Sequence, residues 1–489
     1  MSGEIPCTQC ANLQAEITYL KEELSLLRRL IYGQRRERFI PTSSKNQQEL
    51  ALGVFDNQEE EAETEEITYR RRKNVSKQGE HPGRYPIPAH FPRRRIVIEP
   101  EGDISGLRHI GEEITEELEY KKPEFYVNQY IRPKYELPNG DGILIGHLPS
   151  RPIEKGIPGP GLLSHIIISK YVDHIPIYRM RRQFARHDLL LSESTICGWI
   201  GYTFELLRVL NEAYREKIQA SHYLMVDETP IRVLEKKKKG KSHKGFLWVY
   251  YDPLAKRVLF DYRSSRSRAG PKDILDGYAG YIQTDGYTVY DDLSKRKEIT
   301  SVCCMAHARR YFEQAQDGSR KQSVWMLKKL GTLYDIEREA REKGIDSDQR
   351  YLIRQEKSKP ILDEMKTWLD EQLPALLPKS LIGKAVHYMK GHWDRLEAYI
   401  SDGCLEIDNN LVENEIRPVA LGRKNYMFAG SHDGARRAAL LYTIVANAKL
   451  QGIEPFNYLR DVLRRISDYP VKQIEDLMAE NWESNSISE

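Results

Sequence analysis

The chain has 489 residues, of which 40% are hydrophobic and 30% charged; this composition is typical of a globular protein with polar segments, and the length predicts three or four structural units. The net charge is only +3, but basic clusters at 69–73, 92–95 and 236–244 are separate from an acidic block at 59–66, which favours a polyanionic partner. Six cysteines are too few for a disulfide framework and no segment has the length of a membrane span, so we expect a cytoplasmic protein without a membrane partner.

The first 40 residues contain a heptad pattern. Six apolar residues recur at alternating intervals of four and three: Leu13, Ile17, Leu20, Leu24, Leu27 and Ile31. This spacing predicts a short coiled coil over residues 1–40 that joins two copies of the chain, and the alternative is an amphipathic helix packed on its own domain. Residues 41–98 follow as a charged linker, and residues 99–150 contain short β-type runs that predict a small β-rich unit.

Residues 151–215 predict a helical region that resembles a helix-turn-helix. Pro176 stands where a helix can begin, His187 and Asp188 mark a break, and Ser192 is suited to cap a second helix. Two short helices around a tight turn are the pattern of a DNA-binding unit, although an ordinary helical hairpin has the same spacing. The second helix begins with two candidate DNA-binding residues, Ser194 and Thr195.

A series of strand-like segments follows. Segments 223–234, 245–253 and 257–264 predict three strands, the last two joined as a hairpin at Asp252. A partly helical stretch, another strand at 281–287 and a strand-into-helix segment at 299–315 give the order β-β-β-α-β-α-β-α, which matches the ribonuclease H fold. The predicted fold is therefore multidomain α/β: a mixed-sheet, ribonuclease H-like core over 216–312 and 401–455, an all-helical insertion over 313–400, and a helical tail over 456–489.

Two aspartates occupy matching places in this order. Asp227 ends the apolar run of segment 223–234, and Asp285 ends the apolar run of segment 281–287. Each alone is an ordinary turn residue, but on neighbouring strands the two carboxylates would emerge together. A third carboxylate from a later helix would complete a site for two Mg²⁺ ions, which prefer oxygen ligands and, about 3.5–4 Å apart, activate an attacking oxygen and stabilise a leaving one. The segment DNNLVENEIRPVALGRKNYMFAGS (408–431) offers Asp408, Glu413 and Glu415.

This segment, together with MVDETPIRVL, YIQTDGY and CMAHARRYF in the same order, resembles the transposases of the insertion-sequence-66 family. The resemblance runs from about residue 10 to residue 482. It implies that Asp227, Asp285 and Glu413 are the catalytic and metal-binding DDE triad, with two Mg²⁺ ions for which Mn²⁺ can substitute. The activity it implies is cleavage of DNA at the ends of an insertion sequence and transfer of the 3′ ends to target DNA.

The resemblance also implies contacts and partners. Asn409 and Asn410 would cap the catalytic helix or fix its approach, and Glu415 would point elsewhere because neighbours two apart on a helix are separated by about 200°. The implied DNA-binding residues near the active site are His307, Arg309, Arg310, Asn410, Arg417, Arg423 and Lys424. DNA, a second copy of the chain and small accessory proteins of the same element are the expected partners, with nucleoid association during activity.

No zinc is predicted. Members of the family often carry a cysteine-based zinc segment, but the matching stretch EPEGDISGLRHIGEEITEELEY has no cysteine, and Cys304 with His307 supplies only two ligands. Two alternatives to a transposase stay open from the residues: a nuclease of the same fold that cuts without joining, and a DNA-binding protein that has lost catalysis.

Overall fold

The computed structural model describes residues 125–136, 143–145, 149–154, 156–235, 241–292 and 295–483. These residues divide into two compact units, one that ends at residue 148 and one that begins at residue 149. In the first, strands β1 (Lys134–Glu136) and β2 (Ile143–Ile145) form an antiparallel pair. The predicted coiled coil, the charged linker and the cysteine-free stretch at 99–120 lie outside the described residues.

Three helices precede the main sheet: α1 (Pro160–Tyr171), α2 (Ile177–Ala185) and α3 (Glu193–Gln219). Pro176 is the N-cap of α2, and Ser192 caps α3 by accepting a hydrogen bond from the Thr195 amide at 3.0 Å. Asp188 has φ 57° and marks the predicted break. The expectation of a second short helix is wrong, because α3 has 27 residues and its apolar face continues into the core.

The sheet of the main unit has five strands: β3 (Tyr223–Leu234), β4 (Ser242–Asp252), β5 (Arg257–Arg263), β6 (Gly280–Thr284) and β7 (Ile299–Cys303). Their spatial order is β5-β4-β3-β6-β7. Strands β3 and β5 each pair antiparallel with β4, whereas β6 pairs parallel with β3 and β7 with β6. The predicted hairpin is confirmed: Asp252 ends β4, and its carboxylate accepts hydrogen bonds from the Leu254 and Ala255 amides.

The connections differ from the prediction at one point. Helix α4 (Ala269–Leu275) joins β5 to β6, and α5 (Met305–Gln314) follows β7 directly, as expected. Between β6 and β7, however, the predicted helix is only a 3₁₀ turn, Thr288–Tyr290. The turn is enough because β6 and β7 each have five residues, and a short connection spans the distance between their ends.

Helical elements fill the rest of the unit. Before residue 402 they are α6 (Arg320–Glu342), α7 (Ser347–Ile353), a π-helical turn (Arg354–Ser358), α8 (Lys359–Gln372), α9 (Leu381–Gly391) and α10 (Trp393–Glu397). After it come α11 (Asn410–Tyr426), α12 (His432–Leu450) and α13 (Pro455–Arg465). The helical periodicity predicted for 313–400 agrees with these elements, while the boundaries of a separate inserted domain remain a prediction. Among the described helices, none is both long and apolar enough to cross a membrane.

Helix α12 covers the outer strand β5. The Asn447 side chain accepts a hydrogen bond from the Val258 amide at 3.0 Å and donates one to the Val258 carbonyl at 2.7 Å, and Thr443 accepts one from the Phe260 amide. These polar side chains are fully buried and satisfy backbone groups that an edge strand would otherwise leave unpaired. The sheet is therefore held rigidly between helices, with β3 at its centre.

Candidate active site

The register of two parallel strands brings the two predicted aspartates together. Met225 of β3 lies opposite Gln283 of β6, so Asp227 lies level with Asp285, the residue after the end of β6. The strand predicted over 223–234 is confirmed, and Asp227 lies inside it, because β3 continues to Leu234 by pairing with β4. Since β6 stops at Thr284, the ladder between β3 and β6 ends at Met225, and α11 packs on β3 beyond it, where Arg423 donates to Thr229.

The third predicted carboxylate comes from the first turn of α11. Burial, followed by the negative charges of Glu228, Asp285 and Glu413, raises the pKa of Asp227 well above its usual range. Carboxylates raise the pKa of another carboxyl group in this way when they lie near it in a region of low dielectric constant. The structure therefore brings together Asp227, Asp285 and Glu413, which are separated by 58 and 128 residues in the sequence.

His307, in the first turn of α5, lies beside this cluster. Its Nε2 atom is 4.0 Å from Oε1 of Glu413. Burial and the charge of Arg310 lower the pKa of His307, and the opposing charge of Asp285 does not outweigh them. At neutral pH the imidazole is thus uncharged and suited to hydrogen bonding rather than to charge pairing.

The backbone turn that carries Asp285 is fixed from the helical region. The Tyr287 amide donates to Oδ1 of Asp285 at 2.9 Å, and the Tyr388 hydroxyl donates to the Asp285 carbonyl at 2.7 Å. His392 Nε2 lies 3.3 Å from the Gly286 carbonyl oxygen. Tyr388 and His392 could not be identified from the sequence, because no local pattern links them to an aspartate about a hundred residues away.

Gly286→Ala should disturb this turn and reduce the DNA cleavage and joining that the resemblance implies by about 10-fold or more. Gly286 has φ +82°, and an added Cβ would lie 3.0 Å from both the Tyr388 hydroxyl and Cδ2 of His392; positive φ in a residue other than glycine costs about 1–3 kcal/mol. Activity and melting temperature of the purified variant are the measurements. Gly277→Ala is the matched control, since it has φ +72° but open space around the added Cβ. Equal activity of both variants would contradict this role of the turn.

Glu228, the acidic residue next to Asp227, forms an ion pair with Arg266. The Glu228 carboxylate accepts hydrogen bonds from Arg266 Nε at 2.5 Å and from the Tyr290 hydroxyl at 3.0 Å. Arg266 also stacks over the Tyr287 ring, with its guanidinium carbon 3.8 Å from the ring centroid. Adjacent residues of a strand point to opposite faces, and Glu228 thus holds the turn after Asp285 from the far side. In the sequence, the position of Glu228 directly after Asp227 is the feature that could have identified it.

The start of α11 is held differently from the prediction. Asn409 is the N-cap by position, but its side chain makes no capping hydrogen bond and is fully buried. The backbone amide of Asn409 donates to the sulfur of Cys304, the buried residue before α5. Asp408 instead accepts hydrogen bonds from the Asn410 amide and from the Asn410 side chain, at 3.1 and 2.8 Å. Asn410 is thereby engaged in forming the helix start.

The other predicted DNA-binding residues fall into two groups. Some are engaged within the protein. Arg309 donates to Glu313 at 3.0 Å, and Arg423 donates to Thr229 at 2.8 Å and to the Pro230 carbonyl. The hydroxyls of Ser194 and Thr195 lie 2.7 and 2.8 Å from that of Ser192. Others present their side chains to solvent, namely Arg310 and Lys424. Arg417 is half-buried on α11. Contact with DNA stays a prediction for all of them.

Glu415, the rival for the third carboxylate, lies away from the cluster. Burial raises the pKa of Glu415 to about 7, with the charge of Lys449 opposing the shift. Burial and then the charge of Glu415 raise the pKa of Tyr251, on β4, to about 12. Glu415 is not among the groups that perturb Asp227. Its surroundings are thus those of a buried structural acid.

Glu415→Gln should stabilise the protein at pH 8 and have little effect at pH 5. The unfolded group ionises near pH 4.5 and the folded group near pH 7, so the wild type loses stability as the pH rises between these values. The full penalty is about 3–4 kcal/mol, from about 1.4 kcal/mol per pKa unit. Thermal unfolding at both pH values measures it, with the exposed Glu212→Gln as control. An equal effect of Glu415→Gln at pH 5 and pH 8 would contradict the assignment.

Asp227, Asp285 and Glu413 supply the donor atoms of a divalent-cation site, but their side chains are not at the distances that such a site requires. Within the described ranges, no group of three His, Cys, Asp or Glu side chains is close enough to hold a metal ion as placed. The donors are nevertheless hard oxygen ligands, and the raised pKa of Asp227 reflects its burial first and then the negative charges of its neighbours, which a divalent cation would offset. The residues therefore fit such an ion by donor type and by charge.

Comparison with known proteins places these features in a family. Residues 155–437 match the pattern described as "Transposase IS66 family", residues 19–96 match "Transposase C of IS166 homeodomain", and residues 443–479 match "IS66 C-terminal element". No solved structure matches significantly.

Three relatives from Sinorhizobium fredii (strain NBRC 101917 / NGR234) extend the similarity over nearly the whole chain. The uncharacterized proteins y4hP and y4qI are 31% and 32% identical to it, with 96% of this chain and 90% of each relative covered. The uncharacterized protein y4jD is 30% identical, with 98% of this chain and 96% of the relative covered. The chain belongs to the IS66 family of transposases.

Proposed function

We propose that this chain is a DNA transposase that cleaves at the ends of an insertion sequence and joins the 3′ ends to target DNA. The observation that carries the proposal is the convergence of Asp227, Asp285 and Glu413 from a central strand, the end of its parallel neighbour and the first turn of a distant helix. Membership in the family implies DNA binding and the use of divalent metal in general. The triad and its chemistry are our assignment.

The core that carries the triad is, in this proposal, ribonuclease H-like. The spatial order β5-β4-β3-β6-β7 supports it, with three antiparallel strands followed by two parallel ones and the first aspartate on the central strand. The long spacing between Asp285 and Glu413 is then an insertion of helices between the last strand and the catalytic helix. Helices from this insertion hold the turn at Asp285.

Asp227, Asp285 and Glu413 would hold two Mg²⁺ ions, for which Mn²⁺ can substitute. When bound, the ions supply activation of the attacking oxygen and stabilisation of the leaving one. Tyr388 keeps Asp285 in place through its carbonyl, and neutral His307 lies beside Glu413. In cleavage, a water oxygen attacks phosphorus, the bond from phosphorus to the 3′ oxygen of the element's end breaks, and the phosphate stays on the 5′ end of the flanking DNA. In joining, the freed 3′ hydroxyl attacks a target phosphate, so one phosphodiester bond replaces another and no covalent protein intermediate is needed.

The test is a strand-transfer reaction with purified protein. A labelled duplex is made from the end of the element, which lies in the DNA that flanks this coding sequence, and it carries a free 3′ hydroxyl. It is incubated with the protein, supercoiled plasmid, Mg²⁺ and the accessory proteins of the element. Joined products that disappear with EDTA and return with Mn²⁺ support a transposase. Metal-dependent nicking without joining would indicate a nuclease, and DNA binding without either product would indicate a catalytically silent protein.

A further inference from the structure

The segment that ends α11 exposes two large apolar side chains side by side. Met427 is 64% exposed and Phe428 is 40% exposed, although both follow directly on the helix that carries Glu413. Neither residue has a role in the proposed chemistry. An exposed apolar pair of this size needs an explanation, because burial of either side chain would be favourable.

The backbone at this pair is strained and fixed. Met427 has φ 56° and ψ −39°, and the Phe428 amide donates to the Tyr426 carbonyl at 2.6 Å, which closes a three-residue γ-turn of the rare form with positive φ. On the far side, Ala429 is tied to β3: its amide donates to the Arg232 carbonyl at 2.8 Å, and its carbonyl accepts from the Leu234 amide at 2.9 Å. The pair is thus presented on a rigid support rather than on a loose loop.

The surroundings of the pair are basic. Lys424 and Arg232 are exposed on the two elements that support it, α11 and β3. Cations beside an exposed aromatic and a flexible thioether suit a ligand that has phosphates outside and flat apolar faces inside, which is the chemistry of stacked bases in a DNA duplex.

We propose that Met427 and Phe428 form a wedge that inserts between base pairs of the bound DNA and unstacks one step. The inference rests on the proposed function, since it takes the partner to be DNA at the active site. Fourteen residues separate Glu413 from Met427, which at 1.5 Å per residue is about 21 Å along the helix. With a rise of about 3.4 Å per base pair, the unstacked step lies within about six base pairs of the scissile phosphate.

The test measures DNA distortion without catalysis. Full-length protein with Glu413→Gln is mixed, in EDTA, with a 40-base-pair duplex of the element's own end that carries 2-aminopurine at successive positions, and in parallel with end dyes that report bending. In this background, fluorescence of 2-aminopurine should rise at one step within about six base pairs of the element end, together with a bend. Phe428→Ala should remove the rise and lower affinity by about 10-fold or more.

Met427→Gly separates the wedge from a structural role. Glycine adopts positive φ without strain, so this variant should keep or raise the melting temperature while it reduces the 2-aminopurine signal. Leu421→Ala is the matched control, because Leu421 is 51% exposed on the same helix but outside the turn, and it should leave both readouts unchanged.

The outcomes distinguish the wedge from the proposed function. Binding and bending that are the same with and without the Met427 and Phe428 side chains would overturn the wedge alone. Absence of any DNA binding by the full chain would overturn the proposed function and the wedge with it. A change of oligomeric state in the variants with unchanged DNA distortion would show that the pair contacts a second copy instead, and would also overturn the wedge.

Discussion

Glu413→Gln should abolish transposition while Glu415→Gln leaves it intact. Glutamine keeps the size of the side chain but removes one negative charge from the cluster around Asp227, and loss of a carboxylate ligand weakens metal binding by more than the 10–100-fold typical of outer-shell changes, so we expect a fall of at least about 100-fold. The measurement is transfer of a marked element in cells, with the accessory proteins supplied in trans. Equal protein levels, checked by immunoblot, are required for the comparison.

Glu415→Gln is the matched control because it makes the same chemical change two residues away on the same helix. Its side chain is near Lys449 and Tyr251 rather than near the aspartates, so removal of its charge should not affect the reaction. Loss of transposition with Glu415→Gln and retention with Glu413→Gln would exchange the two assignments. Retention in both variants would show that the third ligand is another residue, and Asp408 would be the next candidate.

The parts of the site that the sequence predicted are those with a local signal. Ser192 could be recognised as an N-cap because a hydroxyl before an apolar run satisfies the first amides of a helix. Asp252 marked the hairpin turn for the same kind of reason: its side chain bonds the next amides. Asp285 follows the last residue of β6, as its position after an apolar run indicated. In each case the controlling hydrogen bonds lie within a few residues.

The parts that the sequence could not provide depend on partners far along the chain. Asp227 lies level with Asp285 because β3 pairs parallel with β6 in one particular register, and neither apolar run alone reveals that register. Arg423, a predicted DNA contact, bonds Thr229 and Pro230 within the protein, nearly two hundred residues earlier, and no local pattern indicated these partners. Local patterns determine where elements begin and end, whereas register and long side-chain contacts decide what a given charge does.

The loop that leads into α11 is fixed by a fully buried arginine. All five N–H groups of Arg354 are used: two donate to Glu337 at 2.8 Å, and three donate to the carbonyls of Tyr399, Asp402 and Leu405 at 2.6–2.7 Å. Arg354 is 0% exposed and the Glu337 side chain 1%. The next residue of the loop, Glu406, is bonded through its backbone to Gln283 and Tyr223. The helical region thereby connects the strands that carry the aspartates with the helix that carries Glu413.

Arg354→Met should destabilise the protein by about 3–5 kcal/mol, the usual cost of removing one partner of a buried ion pair. It leaves three carbonyls without donors and Glu337 with Arg350 as its remaining cationic partner. Burial alone would raise the pKa of Glu337, but the hydrogen bonds and charges of Arg354 and Arg350 lower it. This stabilisation is present above about pH 4.5 and is lost as the pH falls through the lowered pKa. The wild-type and variant melting temperatures should therefore converge in acid.

Melting temperature and resistance to proteolysis are suitable measurements, because a chain of several units need not unfold in two states. Arg338→Met is the control, since Arg338 lies on α6 near Glu337 but is exposed and paired only with Asp335, and its loss should cost less than about 1 kcal/mol. Arg354→Lys keeps the charge but supplies three donors instead of five, so it should restore only part of the stability. If Arg354→Met melted within about one degree of the control, the loop before Glu413 would be held mainly by Tyr223 and Gln283 and not by the helical region.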